Sequence, residues 1–204
     1  VQGELERCVR TLVGTRVPVH GAGRTDSGVH AEGQVCHLDL PEDTRRIDWR
    51  RAMNVQLPPD VRVLNATWVD AGFHARKSAR GKRYAYTLWS HRERAVPRIR
   101  SFVWSCPPLD MEKLRPVFPC LVGTRDFATF RNSGGNDGRT IRTLSSIELL
   151  PGVAANLTCA RDWPVTTLIF EGDGFLKQMV RNLMGLLVWV GQGKIDPAAI
   201  PDII

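Results

Sequence analysis

No apolar run in the 204-residue sequence approaches the roughly 18 residues that a membrane-crossing helix needs. The longest candidate, LMGLLVWVG at 183–191, has about half that length, so no membrane partner is expected. Cysteine pairing is missing too. The five cysteines, at 8, 36, 106, 120 and 159, are odd in number and scattered, with no CxxC pair and no histidine at ligand spacing. Neither a disulfide framework nor a zinc site fits that pattern, and free thiols suit a reducing compartment, so cytoplasmic localisation is expected. No GxGxxG, GxxxxGK, HExxH or GxSxG segment occurs, which leaves dinucleotide, P-loop, zincin and serine-hydrolase chemistry without an anchor. His20, His30, His37 and His74 are spaced too irregularly to suggest a metal cluster; a surface or satisfied-core role is expected for each. An enzyme built on this chain would work with no metal and no nucleotide or other cofactor.

Lysine is scarce as well. Of 28 basic residues 23 are Arg and 5 are Lys, and the net charge is +7 with a pI near 9.6. Arginine presents a planar fork suited to phosphate, although a G+C-rich coding sequence produces the same bias. The distribution says more than the total. Between Arg76 and Arg100 nine basic residues (76, 77, 80, 82, 83, 92, 94, 98 and 100) stand against one acid, Glu93, while the rest of the chain is slightly acidic. Such a patch holds a polyanion through phosphate contacts; the competing reading is a solvated strand and loop. Tyr84 and Tyr86, the only tyrosines, lie inside it, where a ring can stack on a base or simply pack in the core.

Residues 1–12 have a helical apolar spacing, 34–40 alternate as a strand, and the segment 75–90 puts Tyr84, Tyr86 and Leu88 on one side of a strand with Arg83, Ala85 and Thr87 on the other. A helix capped by Asp43 or Thr44 is expected through Met53 and ended by LPPD at 57–60, followed by a β-rich segment at 61–69. Residues 109–123 have a helical pattern interrupted by Pro116 and Pro119, RNSGGNDGR at 131–139 is a polar loop, and 140–150 form a strand. Residues 164–191 read as strand, tight turn at 171–174, and a helix burying Met179, Leu183, Leu186, Leu187 and Val190. The fold class is therefore α+β, with antiparallel sheets in two similar halves, residues 1–105 and 106–204. The opening without an initiator Met and the stop at PAAIPDII suggest a fragment lacking a first and a last strand.

The segment with most chemical content is GRTDSGVHA at 23–31. Glycines at 21, 23 and 28 let backbone or ligand approach closely and let the intervening side chains point into a cleft. Asp26 could close its own loop as an Asx-turn, with Arg24 as ion-pair partner. In a positive cleft it would instead be an ionised carboxylate, available as nucleophile or short-range base. Arg181, in LKQMVRNLMG, is expected one turn into an apolar helix, partly buried, in need of an acidic partner, and on one face with Lys177 at i,i+4.

GRTDSGVHA followed by GQV at 33–35, NVQLPPDV at 54–61, FHAR at 73–76, KRYAY at 82–86, RDFATFR at 125–131, RT at 139–140 and FLKQMVRNLMG at 175–185 closely resemble, in order, the motifs of the TruA-type tRNA pseudouridine synthases. The resemblance covers nearly the whole chain and implies the pseudouridine synthase fold, two ferredoxin-like halves around a central cleft. It implies isomerisation of uridine to pseudouridine at positions 38, 39 and 40 of the tRNA anticodon stem-loop, without cofactor, by a homodimer. Asp26 is then the catalytic aspartate, Tyr84 lies against the uracil and Arg181 pairs with the aspartate. Arg24, His30, Arg76, Lys82, Arg83 and Arg131 are expected to bind substrate. The family's first strand, with its YDGxxFxGWQ-like segment, and its last helix and strand have no counterpart here, so weak stability and little activity are expected of these 204 residues alone. The alternatives are a noncatalytic structured-RNA-binding protein of the same fold, or a structural protein whose basic strand only faces solvent.

Overall fold

The structure is a computed structural model that describes residues 1–134, 138–152 and 163–204. The middle of the expected 131–139 loop and Cys159 lie outside the described residues. The chain divides into two units, Val1–Ala79 and Arg80–Ile204, whereas the sequence reading divides it at 105/106. The difference follows from strand pairing: the segment 82–106 joins the sheet built by 123–172.

In the first unit helix α1 (Gln2–Val13) places Cys8 and Val9, both fully buried, toward Trp49 and Met53 and ends at Gly14, which takes the left-handed conformation at φ 75°. Strands β1 (His20–Gly21) and β2 (Cys36–His37) pair antiparallel, His20 opposite His37. The ladder is shorter than the strand expected at 34–40. Helix α2 (Trp49–Gln56) is capped by Asp48, whose carboxylate accepts from Arg51 N–H at 3.0 Å. Asp43 and Thr44 fall instead in a 3₁₀ turn, Glu42–Arg46. Residues 61–69 form no strand, although their composition is β-rich. A strand needs a partner backbone, and here the Asn54 amide stands in for one: it donates to Val63 O and accepts from Val63 N–H, both at 2.8 Å.

In the second unit β3 (Lys82–Ser90) and β4 (Trp104–Cys106) pair parallel at one edge. The prolines break the segment 109–123 into 3₁₀ turns and the short helix α3 (Phe118–Leu121). Strands β5 (Gly123–Asp126), β6 (Ile141–Pro151) and β7 (Val165–Gly172) complete a sheet of order β4-β3-β7-β6-β5, antiparallel apart from β3–β4. Helix α4 (Met179–Gly191) follows, then the short α5 (Ile200–Ile203). The α4 face predicted from periodicity is buried as expected, and Met179, Leu183, Met184 and Leu187 form one core with Leu88, Leu168 and Phe170 of the sheet. Each such side chain contributes roughly 1.5–3 kcal/mol by leaving water. β7 is the central strand and is buried almost along its length, which accounts for its run of apolar residues.

Candidate active site

The β1–β2 ladder continues past its two pairs through Ala22 N–H to Val35 O at 2.8 Å and Gln34 Nε2 to Gly23 O at 2.9 Å. That neck turns residues 24–33 into a single excursion. Within it Val29 N–H donates to Asp26 O at 3.1 Å, closing a turn whose third residue, Gly28, has φ 79°. A left-handed third residue is the requirement of a type II turn, and glycine meets it without a Cβ penalty. Because backbone closes the turn, the Asp26 carboxylate is not used for it. The side chain is exposed and, within this unit, makes neither the Asx-turn bond nor an ion pair with Arg24. Arg24 and His30 are exposed on the same loop.

Three histidines that looked unrelated in sequence meet at the base of this loop. The rings of His20 and His37 stack at 5.0 Å, and His37 and His74 lie 4.5 Å apart. His37 Nδ1 accepts from Ala75 N–H at 3.2 Å, and His74 Nδ1 accepts from Arg76 N–H at 3.2 Å and Lys77 N–H at 3.4 Å. The imidazoles thus fasten the turn from which the exposed Arg76 projects. Desolvation, then the neighbouring His37 and Lys77, lower the pKa of His74 from the ordinary histidine value. Among the described residues no group of three or more His, Cys, Asp or Glu could hold a metal ion. The β1–β2 register carried the signal for this cluster, and spacing along the chain did not.

In the second unit β3 directs Tyr84, Tyr86 and Leu88 to the core face. Tyr84 is half-buried, pairs in register with Phe170, and meets the Phe175 ring edge-on at 4.9 Å. Phe175 is a contact that the sequence reading did not single out. Edge-to-face rings hold each other's orientation, so the phenol is presented by packed neighbours and not by a loop. Arg83 points to the other face and pairs with Glu171 across the strands at 3.2 Å. That pair is exposed and worth little, about 0–1 kcal/mol. Lys82 is partly buried at the start of β3.

The expectations for Arg181 and Lys177 need correction. Helix α4 begins at Met179 behind Gln178, which is left-handed at φ 59°, so Lys177 precedes the helix and shares no i,i+4 face with Arg181. Lys177 Nζ instead donates to Ser133 O at 2.8 Å. Arg181 is exposed, not partly buried, because the helix turns Met179, Val180, Leu183 and Met184 inward and leaves 181 outside. Within its unit it has no acidic partner among the described residues. Arg131 is exposed just past a 3₁₀ turn, Ala128–Phe130, pinned by the buried Phe127 and Phe130. Asn132 Nδ2 donates to Gln178 Oε1 at 2.7 Å, while Asn182 Nδ2 donates to Asn132 Oδ1 at 2.8 Å and Phe130 O at 2.9 Å.

The first unit therefore offers an uncommitted carboxylate on a glycine-closed turn. The second offers a packed tyrosine on a basic strand and two exposed arginines on segments tied to each other. Carboxylate, phenol and guanidinium side chains can each serve in acid–base or nucleophilic chemistry, and guanidinium groups suit an anionic ligand.

Comparison with known proteins narrows that class. The family model for tRNA pseudouridine synthase matches residues 119–204. Over 210 aligned residues the sequence is 47% identical to tRNA pseudouridine synthase A of Oleidesulfovibrio alaskensis, covering 100% of this chain and 76% of that protein. It is 45% identical over 223 residues to the protein of that name from Nitratidesulfovibrio vulgaris, covering all of this chain and 80% of the relative, and 38% identical over 205 residues to that of Geobacillus kaustophilus, covering 76% of it. The chain belongs to the TruA-type tRNA pseudouridine synthase family, and its architecture is consistent with the fold of that family.

Proposed function

We propose that this chain isomerises uridine to pseudouridine in tRNA, detaching the uracil from C1′ and rejoining it through C5. Similarity along the full chain to proteins named for that activity carries the reading; the Asp26 carboxylate, left out of its own loop's hydrogen bonds, agrees with it. Asp26 is the proposed catalytic group, attacking C1′, adding to C6 or assisting elimination. Tyr84 is assigned to the uracil and its C5 proton, and Arg181 to pairing with the aspartate. Arg24, His30, Arg76, Lys82, Arg83 and Arg131 are assigned to the RNA. Uridines 38, 39 and 40 of the anticodon stem-loop are the proposed targets, a homodimer the proposed assembly, and the cytoplasm the proposed compartment.

A stem uridine must leave its stack before a carboxylate reaches C1′, at a cost of a few kcal/mol. Phosphate contacts from the basic segment 76–100 offset that cost. Bond breaking and bond making involve the same base, so the proposed roles call on side chains alone. The test uses tRNA tritiated at uridine C5. Isomerisation releases the label and binding does not. Asp26→Asn is expected to slow release by about three orders of magnitude or more, as removal of a nucleophile does, with tRNA affinity changed little. Equal release by the variant would remove Asp26 from the chemistry; binding without release by the unaltered protein would favour the noncatalytic RNA-binding alternative.

A further inference from the structure

We propose that Asn132, Gln178 and Asn182 form an amide clasp that positions Arg131 and Arg181 for the reaction, a proposal that rests on the isomerase reading above. The clasp residues bracket both arginines. Arg131 lies between Phe130, whose carbonyl accepts from Asn182 Nδ2, and Asn132; Arg181 lies between Gln178 and Asn182. Two further bonds join the same segments, Asn132 N–H to Lys177 O at 3.2 Å and Lys177 Nζ to Ser133 O at 2.8 Å. Both ends of the Asn132 amide are used, one as donor and one as acceptor, so its partners fix its orientation.

Packing does not require this network. Nine of the thirteen residues of α4 are already buried, Met179 and Val180 of its first turn among them, while Asn132 is exposed and Gln178 and Asn182 are half-buried beside them. Gln178 is the only non-glycine residue with positive φ among those described. If the position served only to start a helix, glycine would adopt the left-handed backbone without strain. What glutamine adds is the Oε1 acceptor for Asn132. Arg131 and Arg181 are long, exposed side chains, and the placement of their backbones sets where their guanidinium groups can reach. A misplacement of about 1 Å at a reacting centre costs on the order of 10²-fold in rate.

The experiment compares the unaltered protein with Asn132→Ala, Gln178→Gly and Gln178→Glu, measuring single-turnover label release from C5-tritiated tRNA, tRNA affinity and Tm. Asn132→Ala and Gln178→Gly should slow release about tenfold or more while affinity stays within roughly threefold. Gln178→Gly should keep its Tm, since it relieves the left-handed backbone as it loses the amide. Gln178→Glu retains an acceptor oxygen and should stay within about threefold of the unaltered rate. Wild-type release by Gln178→Gly, or rate losses that follow Tm and are not recovered in Gln178→Glu, would overturn the clasp and leave the isomerase reading standing. An unaltered protein that binds tRNA and releases no label would overturn both.

Discussion

Gly172 ends β7 where β6 bulges: Leu144 pairs with Gly172, and Ser146, not Ser145, pairs with Glu171. A Cβ added at Gly172 would stand 2.6 Å from Thr143 O, with Leu144 Cα and the Phe175 ring both at 3.5 Å. The first neighbour is a backbone carbonyl inside a ladder, so it cannot swing aside as a side-chain tip would. That carbonyl also accepts Asp173 N–H at 3.1 Å, and Asp173 Oδ1 accepts Thr143 N–H at 3.0 Å. Gly172→Ala must therefore push the strands apart or break this two-bond junction. Overpacking costs about 1–3 kcal/mol and a lost hydrogen bond about 0.5–1.5, which together make about 3 kcal/mol a fair expectation. At roughly 2–4 °C per kcal/mol for a chain of this size, Tm should fall by about 6–12 °C. Scanning calorimetry or circular dichroism reads the shift. Gly174→Ala is the control, because its Cβ would meet only the Arg142 side chain, at 3.8–3.9 Å, and should leave Tm nearly unchanged. Because Phe175 holds Tyr84, label release should slow in Gly172→Ala as well. A Gly172→Ala protein that melts with the control would refute the claim that this close approach is rigid.

Two other outcomes can be checked on the same protein. The folded state lowers the pKa of His74, so it binds fewer protons than the unfolded chain; stability is present above about pH 6.5 and is lost as pH falls through the folded value. The Tm gap between mildly acid and neutral pH should narrow in His74→Asn, and an undiminished gap would assign the acid sensitivity elsewhere. Arg83 pairs with Glu171 at 3.2 Å; on the proposed assignment of Arg83 to the RNA, Glu171→Gln should tighten tRNA binding by up to about fivefold, whereas replacing Lys82 and Arg83 together should weaken it and lower the slope of log affinity against log salt by roughly 1–2. A salt slope unmoved by the double replacement would take both side chains off the phosphates.

Long segments with one clear period were legible in the sequence. α1, β6 and β7 stand within a residue or two of their expected spans, β3 fills the later part of the expected 75–90 segment, and α4 buries the face its apolar spacing predicts, because in such segments the apolar pattern is the dominant local signal. Residues 61–69 look equally strand-like and form none, since β composition describes a half-buried surface and says nothing of whether a partner backbone is there. Helix starts were misread for a related reason. Asp43 and Thr44 are good capping types, yet Asp48 takes the cap, and the choice depends on which turn can pack Trp49 and Met53 against α1.

The candidate site divides along the same physical line. Asp26 was visible because one short run concentrates glycines around a carboxylate, and backbone closure through Gly28 is a local event. The histidine trio and the amide clasp were invisible because their partners are 17 to 52 residues apart in the chain, a distance over which no periodicity carries information. Arg181 shows how the two levels interact. Its apolar neighbours in sequence suggested burial, but the helix that buries them must turn one side outward, and residue 181 is on it. The apolar face of α4 is spent on holding the sheet, and the polar bonds at its first turn hold the segment that carries Arg131. On the proposed clasp, stability and the placement of these arginines depend on different side chains, so replacing Gln178 is expected to change rate without changing melting, whereas replacing the buried Met179 beside it should lower Tm.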